Sequence, residues 1–169
     1  MSVLGSIRHQ ILLPEQKVLF DYWRQQCVAH GIPSYTDIDP SVMGEFLPTI
    51  SLMELNRETG KQRYKFRLAG TGFYKFFDRE ITGQYLDEVH YDAQKSYWER
   101  IYSKMLETRR PRVGVTRSGT PIGGHMLQFW IRLPLSCDGD NVNMILGFDK
   151  FVKPKQLERV SSEAYKIIA

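Results

Sequence analysis

Two pairs of strand-like runs, each joined by a short turn, constrain the fold of this chain more than any other feature. Residues 47–56 and 63–70 flank the turn RETGKQ, and residues 125–138 and 142–151 flank the turn DGDN. Strands joined by so short a turn must be antiparallel neighbours, because a parallel connection needs a dozen or more residues. The sequence therefore predicts an antiparallel sheet that contains two hairpins.

Helical patterns fill the stretch between the hairpins. Residues 71–90 predict short helical pieces broken at Gly83, and residues 92–110 predict a long helix that ends before Pro111. A further strand is predicted over 113–119. The order predicts an α+β fold, in which a five-stranded antiparallel sheet carries the short helices and the long connecting helix on one face.

Alternation within the strands predicts which side chains face the core. In RYKFRLAG (63–70), Tyr64, Phe66 and Leu68 alternate with basic residues, which is typical of a half-buried antiparallel strand. The long run 125–138 predicts a second apolar face, formed by Leu127, Phe129, Ile131 and Leu133.

An N-terminal helix is predicted over residues 14–31, because the segment opens with Pro14 and closes with Gly31. Its apolar residues exceed what one narrow stripe needs. Two arrangements stay open: the helix packs back on its own sheet, or it forms a homodimer interface, for which the candidates are Leu19, Phe20 and Trp23.

These elements divide the chain into three parts. Residues 1–46 form an extension with the flanking helix, residues 47–151 the domain, and residues 152–169 a tail or short helix. Only the first dozen residues have the composition of a disordered segment. The two cysteines, Cys27 and Cys137, have no CxxC partner and are expected to be free thiols.

Charge and hydropathy exclude several functions. The net charge is +4 with a pI near 9.1, but the basic residues are spread along the chain, so no nucleic-acid surface is predicted. No signal peptide and no run of about 20 apolar residues for a membrane span is found. We therefore expect a cytoplasmic protein.

The segment RYKFRLAGTGFYKFFDREITGQYLDE (63–88) and the element order resemble a PAS domain, and in particular the bacterial single-domain PAS_5 type common in alphaproteobacteria. The resemblance covers roughly residues 14–151. It implies a sensory module that passes its output to a protein partner. It also implies two sites to consider: His90 lies where some haem-binding PAS domains place their axial ligand, whereas the cysteine of flavin photochemistry is absent from 71–90. No cofactor is assigned, and a surface or cap role for His90 stays open.

Catalytic motifs are not predicted. AGTG resembles the start of a dinucleotide fingerprint, but the third glycine position is Lys75 and no parallel βαβ unit follows, so Gly70 and Gly72 are interpreted as a sharp strand-to-helix turn. Asp78 and Glu80 are two residues apart and would not face each other on a helix. No catalytic and no metal-binding residue is assigned.

Aromatic residues crowd the middle of the chain and predict either a ligand pocket or a solid core. A small molecule in this pocket, a protein partner, or both would then define the function. An enzyme that uses the same pocket and a ligand-free adaptor stay open as alternatives. The candidate pocket residues are Phe66, Leu68, Tyr74, Phe77, Tyr85, Tyr97, Ile101, Phe129, Ile131 and Met144.

Overall fold

One antiparallel sheet organises the chain. The computed structural model describes residues 3–58, 60–122 and 124–160. The strands are β1 Ile50–Asn56, β2 Arg63–Ala69, β3 Arg112–Arg117, β4 Leu127–Leu135 and β5 Met144–Val152. Their order across the sheet is β2-β1-β5-β4-β3, and every pairing is antiparallel. The predicted α+β fold with a five-stranded antiparallel sheet is confirmed.

Helices cover both faces of this sheet. They are α1 Val3–Gln10, α2 Pro14–His30, α3 Tyr74–Phe77, α4 Leu86–Val89, α5 Asp92–Thr108 and α6 Leu157–Val160. Short 3-10 helices span Tyr35–Asp37, Pro40–Thr49, Thr71–Phe73 and Pro154–Gln156. We call the face packed against α3, α4 and α5 the inner face, and the face packed against α2 the outer face. Part of the predicted C-terminal tail, 161–169, lies outside the described residues.

Within the first dozen residues, the structure describes 3–12 and forms the helix α1 over Val3–Gln10, which corrects the prediction of disorder for this part. Leu4 and Ile7 of α1 pack against the outer-face core, and Ile11 is completely buried. Arg8 donates from Nε and Nη2 to the carboxylate of Asp21 in α2, at 2.8 and 2.7 Å. A two-point Arg–carboxylate pair fixes orientation as well as contact, so it holds α1 against α2.

The helix α2 packs on the chain's own sheet. Leu19, Phe20 and Trp23 are all at most 3% exposed within the outer-face core. Trp23 Nε1 also donates to the carbonyl oxygen of Pro134 in β4, at 2.9 Å. The three side chains predicted for a dimer interface are therefore used within the chain, and the burial of each contributes about 1.5–3 kcal/mol.

A β-bulge changes the alternation within β2. Leu52 pairs with Leu68 whereas the next residue, Met53, pairs with Phe66, so Arg67 is the extra residue on β2. An extra residue turns the following side chain to the opposite face of the sheet. Tyr64 and Phe66 therefore lie in the inner core, but Leu68 lies on the outer face and is 48% exposed. The prediction that all three share one face is wrong for Leu68.

The strand β4 has two buried faces, and its apolar alternation belongs to the outer one. Phe129 and Ile131 pack with residues of the N-terminal segment, as does Met144 of β5. Their assignment to the same cavity as the central aromatic cluster is wrong, because α2 occupies the face that they line. The inner face of β4 instead carries Trp130 and Arg132.

The two glycines of AGTG allow close approach of the backbone rather than an unusual turn. Gly70 has φ −62° and ψ 155°, which any residue adopts. A Cβ on Gly70 would lie 2.1 Å from the Leu47 oxygen, and one on Gly72 would lie 2.6 Å from the Pro48 oxygen. The strand-to-helix connection therefore packs directly on the main chain that precedes β1.

Candidate functional site

A buried charged cluster lies on the inner face of the sheet, on neighbouring strands. Arg132 of β4 donates from Nη2 to Oδ1 of Asp149 in β5 at 2.9 Å, and the two side chains are 5% and 1% exposed. Gln128, four residues before Arg132 on the same strand, donates from Nε2 to the same oxygen at 2.7 Å. Buried charges are tolerated only when they are paired and hydrogen-bonded in this way.

The guanidinium of Arg132 is enclosed on all sides. It donates to the hydroxyl of Tyr102 in α5 at 3.2 Å and to the carbonyl oxygens of Ile131 and Phe148 at 3.0 and 3.3 Å. It also lies over the ring of Trp98, 4.6 Å from the centroid. Burial alone disfavours the charged form, but Asp149 and Tyr102 outweigh it and raise the pKa of Arg132. The cluster therefore ties α5 to β4 and β5.

His90, in the link between α4 and α5, is a further buried titratable group of this region. It is 5% exposed, and its ring lies 5.5 Å from the Phe77 ring and 6.1 Å from the Trp98 ring. Burial, aided by the positive charge of Arg132, lowers the pKa of His90 to about 4. The imidazole is thus neutral at pH 7. A haem would have to displace the flanking rings, so this enclosed arrangement does not fit an axial ligand.

Three buried polar atoms around this cluster have no hydrogen-bond partner among the residues that the structure describes. They are Nδ1 of His90, Nε1 of Trp98 and Oε1 of Gln128. A buried polar atom without a partner costs about 1–3 kcal/mol, and native proteins normally satisfy it with protein, water or ligand. The inner face thus presents unused hydrogen-bonding capacity among aromatic rings.

A cavity of about 380 Å³ opens beside His90. Its lining includes Phe77 at the end of α3, Val89 and Tyr91 on either side of His90, and Gly119 in the loop between β3 and β4. Phe77 lines this cavity, and its ring also contacts the His90 imidazole. The volume is within the range of small-ligand pockets, although neither His90 nor Trp98 is among the residues that line the cavity.

The predicted pocket residues divide into three groups. Phe66, Phe77, Tyr97 and Ile101 belong to the inner core or pack against it. Tyr85 lies at its margin, where the guanidinium of Arg63 stacks 3.6 Å from the ring centroid. The others lie elsewhere: Tyr74 and Leu68 are 57% and 48% exposed, and Phe129, Ile131 and Met144 pack on the outer face.

The polar members of the cluster were missed in the sequence. Gln128, Trp130 and Arg132 alternate with the apolar residues of β4 and therefore look like a solvent-facing side. Asp149 also looks like a solvent-facing residue, because it follows an apolar run. The one available signal is the charge pair itself: two opposite charges, each near the middle of a strand of the same hairpin, can meet across it. Trp130 Nε1 donates to the Tyr97 hydroxyl at 3.0 Å, which completes this face.

Other acidic residues near the short helices have structural partners. Asp87 accepts from Arg63 Nη2 at 2.8 Å, and Glu80 accepts from the backbone N–H of Thr82 at 2.8 Å. These hydrogen bonds lower the pKa of both carboxyls. Within the described ranges, no three His, Cys, Asp or Glu side chains are grouped so as to hold a metal ion. In the same part of the chain, no helix has the length and apolar character to cross a membrane.

Comparison with known proteins adds a family. The family described as "PAS domain", of the PAS_5 type, matches residues 13–149 and so includes α2. No curated protein matches the chain. Among solved structures, the RsLOV d2 variant aligns with a TM-score of 0.45 at 15% identity, over 60% of this chain and 58% of that one. A fungal LOV domain photoreceptor aligns with a TM-score of 0.45 at 14% identity, over 76% and 88%. The chain thus spans less than two thirds of the RsLOV variant.

Proposed function

Because the chain belongs to the PAS domain family, we propose that it is a sensory or regulatory module that takes up a small molecule on the inner face of its sheet. One observation carries this proposal. Among the described residues, Nδ1 of His90 and Nε1 of Trp98 are buried without partners on rings 6.1 Å apart, and Phe77, which contacts His90, lines a cavity. A ligand that satisfies both atoms would recover the cost of leaving them unpaired.

The chemistry of these groups defines the ligand class. The Trp98 N–H can only donate, and a neutral His90 can donate or accept. The charge of Arg132 is already balanced by Asp149. The site therefore favours an uncharged molecule with a hydrogen-bond acceptor, and the surrounding rings favour a planar one.

Signalling in this proposal begins with the helices that hold the site. A ligand between His90 and Trp98 displaces the segment 71–90 against the sheet, provided that it binds the two arrangements with different affinity. The outer face is connected to the same strand: Asp149 faces the cluster, and its neighbour Lys150 pairs with Glu15 in the first turn of α2. Movement of β5 would thus reach the N-terminal helix.

The output in this proposal is a change in association with another protein or with a second copy of the chain, in the cytoplasm. Since Leu19, Phe20 and Trp23 are buried, a homodimer would use other surface of α2, where Val18 and Val28 are 51% and 89% exposed. The proposal places no catalytic residue in the chain.

An enzyme acting at the same site is the alternative that His90 raises, since a buried histidine with a shifted pKa beside a cavity is a common catalytic feature. A general base works best with a pKa near the working pH. The pKa of His90 is lowered to about 4, and its ring neighbours are Phe77 and Trp98 rather than a carboxylate. This arrangement favours a hydrogen-bonding role over proton transfer.

Native mass spectrometry of freshly purified protein tests the proposal. We expect an extra mass on the folded chain that disappears on denaturation. Trp98→Phe keeps an aromatic ring, although a smaller one, and removes the N–H, so it should lose the extra mass. Trp23→Phe is the matched control, because its N–H is already bound to Pro134 on the other face, and it should keep the extra mass.

Either of two results would refute ligand binding at this site. If the chain carried no extra mass before or after incubation with the small-molecule fraction of a cell lysate, the remaining interpretation would be an interaction module with a solid core and no ligand. An extra mass that Trp98→Phe and Trp23→Phe retain equally would place the ligand elsewhere. The same spectra report whether the chain is a dimer.

A further inference from the structure

A second cavity, of about 320 Å³, lies on the outer face of the sheet, away from the inner-face cluster. It is bounded by the segment 35–47 on one side and by β1, β2 and β5 on the other, and its walls are almost entirely aliphatic. Six of the apolar residues that line it are Ile38, Met43, Leu47, Leu52, Leu68 and Leu146. No residue of α2 lines this cavity, so the segment 35–47 rather than α2 covers this part of the outer face.

Exposed apolar side chains converge on this cavity. Tyr35, Leu47 and Leu68 are 42%, 41% and 48% exposed, and all three line it. Single exposed apolar residues need no explanation, but several around one concave surface indicate a binding site. Leu68 lies here because of the β2 bulge, which turned it away from the inner core.

Arg67, the extra residue of the bulge, is the one charged side chain among the residues that line the cavity. Its guanidinium lies over the Tyr35 ring, 4.9 Å from the centroid. Among the described residues, no carboxylate lies within ion-pair distance of it, in contrast to Arg8, Arg63 and Arg132. The bulge therefore places a cation with free hydrogen-bond donors at the rim of an aliphatic cavity.

We propose that this cavity binds the alkyl chain of a carboxylic acid, with the carboxylate on Arg67. Charge complementarity selects an anion, the planar guanidinium suits a carboxylate in two-point contact, and the aliphatic walls select a hydrocarbon tail. At roughly 30 Å³ per water-sized group, the volume holds about ten non-hydrogen atoms, which corresponds to a chain of about eight carbons. The site does not depend on the ligand proposed for the inner face.

Isothermal titration calorimetry with sodium octanoate tests this proposal on the full chain. We expect one octanoate per chain, bound about tenfold more tightly than 1-octanol, which lacks the charge-assisted hydrogen bonds. Across straight-chain carboxylates from four carbons upward, each added methylene should tighten binding about three- to fourfold. This gain should stop once the cavity is filled.

Two variants locate the site. Arg67→Ala should weaken octanoate binding about tenfold and leave 1-octanol binding unchanged. Leu68→Glu should abolish octanoate binding, because the new carboxylate would pair with Arg67. Both positions are exposed, so folding should persist and circular dichroism checks it. Arg57→Ala and Ile122→Glu likewise remove an arginine and replace an apolar side chain by glutamate, but at exposed positions outside the cavity, and should bind octanoate normally.

Several results would overturn the proposal. Equal octanoate affinity in Arg67→Ala and Arg57→Ala would remove the carboxylate contact, and several octanoates per chain would indicate detergent-like adsorption. If the chain were a dimer that dissociated in Leu68→Glu but not on addition of octanoate, the cavity would be the contact site for a second copy of the chain. Loss of octanoate binding in Trp98→Phe would place the octanoate site on the inner face. Octanoate binding that persists in Trp98→Phe keeps this test separate from the test of the proposed function.

Discussion

Asp149→Asn is the substitution that tests the buried cluster most directly. It keeps the shape of the side chain and removes the charge that balances Arg132. The two groups meet at 2.9 Å with side chains 5% and 1% exposed, so water cannot replace the lost carboxylate. Removing one partner of a buried ion pair costs about 3–5 kcal/mol, because the remaining charge is left uncompensated.

Urea denaturation at pH 7, followed by tryptophan fluorescence, measures this cost. For a slope of about 2 kcal/mol per molar urea, the midpoint should fall by about 1.5–2.5 M. Asp87→Asn is the control, since Asp87 meets Arg63 at 2.8 Å but both side chains are 31% exposed. Such a pair contributes about 0–1 kcal/mol.

The double variant Arg132→Met, Asp149→Asn separates charge from packing. It should be more stable than Asp149→Asn alone, because it removes the orphaned guanidinium along with its partner. If Asp149→Asn lowered the midpoint no more than Asp87→Asn does, the assumption that the pair is dry and electrostatically unscreened would be wrong.

Three further predictions follow from the same structure. The pKa of His90 is about 4 in the folded chain against 6.5 for an ordinary histidine, so the unfolded chain binds more protons between these pH values. The contribution of the neutral His90 to the free energy of unfolding should therefore be fully present above pH 6.5 and fall by about 3 kcal/mol towards pH 4. His90→Phe should remove this part of the slope in denaturation curves recorded at each pH, and parallel profiles would contradict the burial of the imidazole. In urea denaturation, Phe66→Ala should lower the free energy of unfolding by about 3–5 kcal/mol, and Leu68→Ala should lower it by less than about 1 kcal/mol. Equal decreases would argue against the bulge. Gly70→Ala should cost about 1–3 kcal/mol, since its Cβ would meet main-chain oxygens at 2.1 and 2.5 Å; an unchanged midpoint would show that this backbone contact relaxes freely.

The element order could be predicted from the sequence because it depends on local signals. Turns with glycine, a proline at the start of α2 and alternation in β2 each fix a short stretch without reference to the rest of the chain. The bounds of β4 and β5 agree with the predicted runs 125–138 and 142–151 to within a few residues. The same local signals led to the antiparallel pairing of each hairpin.

The candidate site could be predicted only in part, because it depends on which element covers which face. Alternation in β4 identifies an apolar side, but both sides are buried, and Ile131 faces α2 whereas Arg132 faces α5. The bulge at Arg67 leaves no trace in the alternation of RYKFRLAG, since the pattern continues through it. In AGTG, the need for Gly70 arises from the distant main chain at Leu47.

The position of Pro134 has a consequence for assembly. The strand β3 pairs with β4 only as far as Arg132, so the last residues of β4 overhang. There the carbonyl of Pro134 accepts the Trp23 N–H, and the N–H of Ser136 donates to the carbonyl of Pro33 at 2.9 Å. An open strand edge is a template for pairing with other chains. The N-terminal segment therefore occupies two hydrogen-bonding groups at this edge that the strand of a neighbouring molecule could otherwise use.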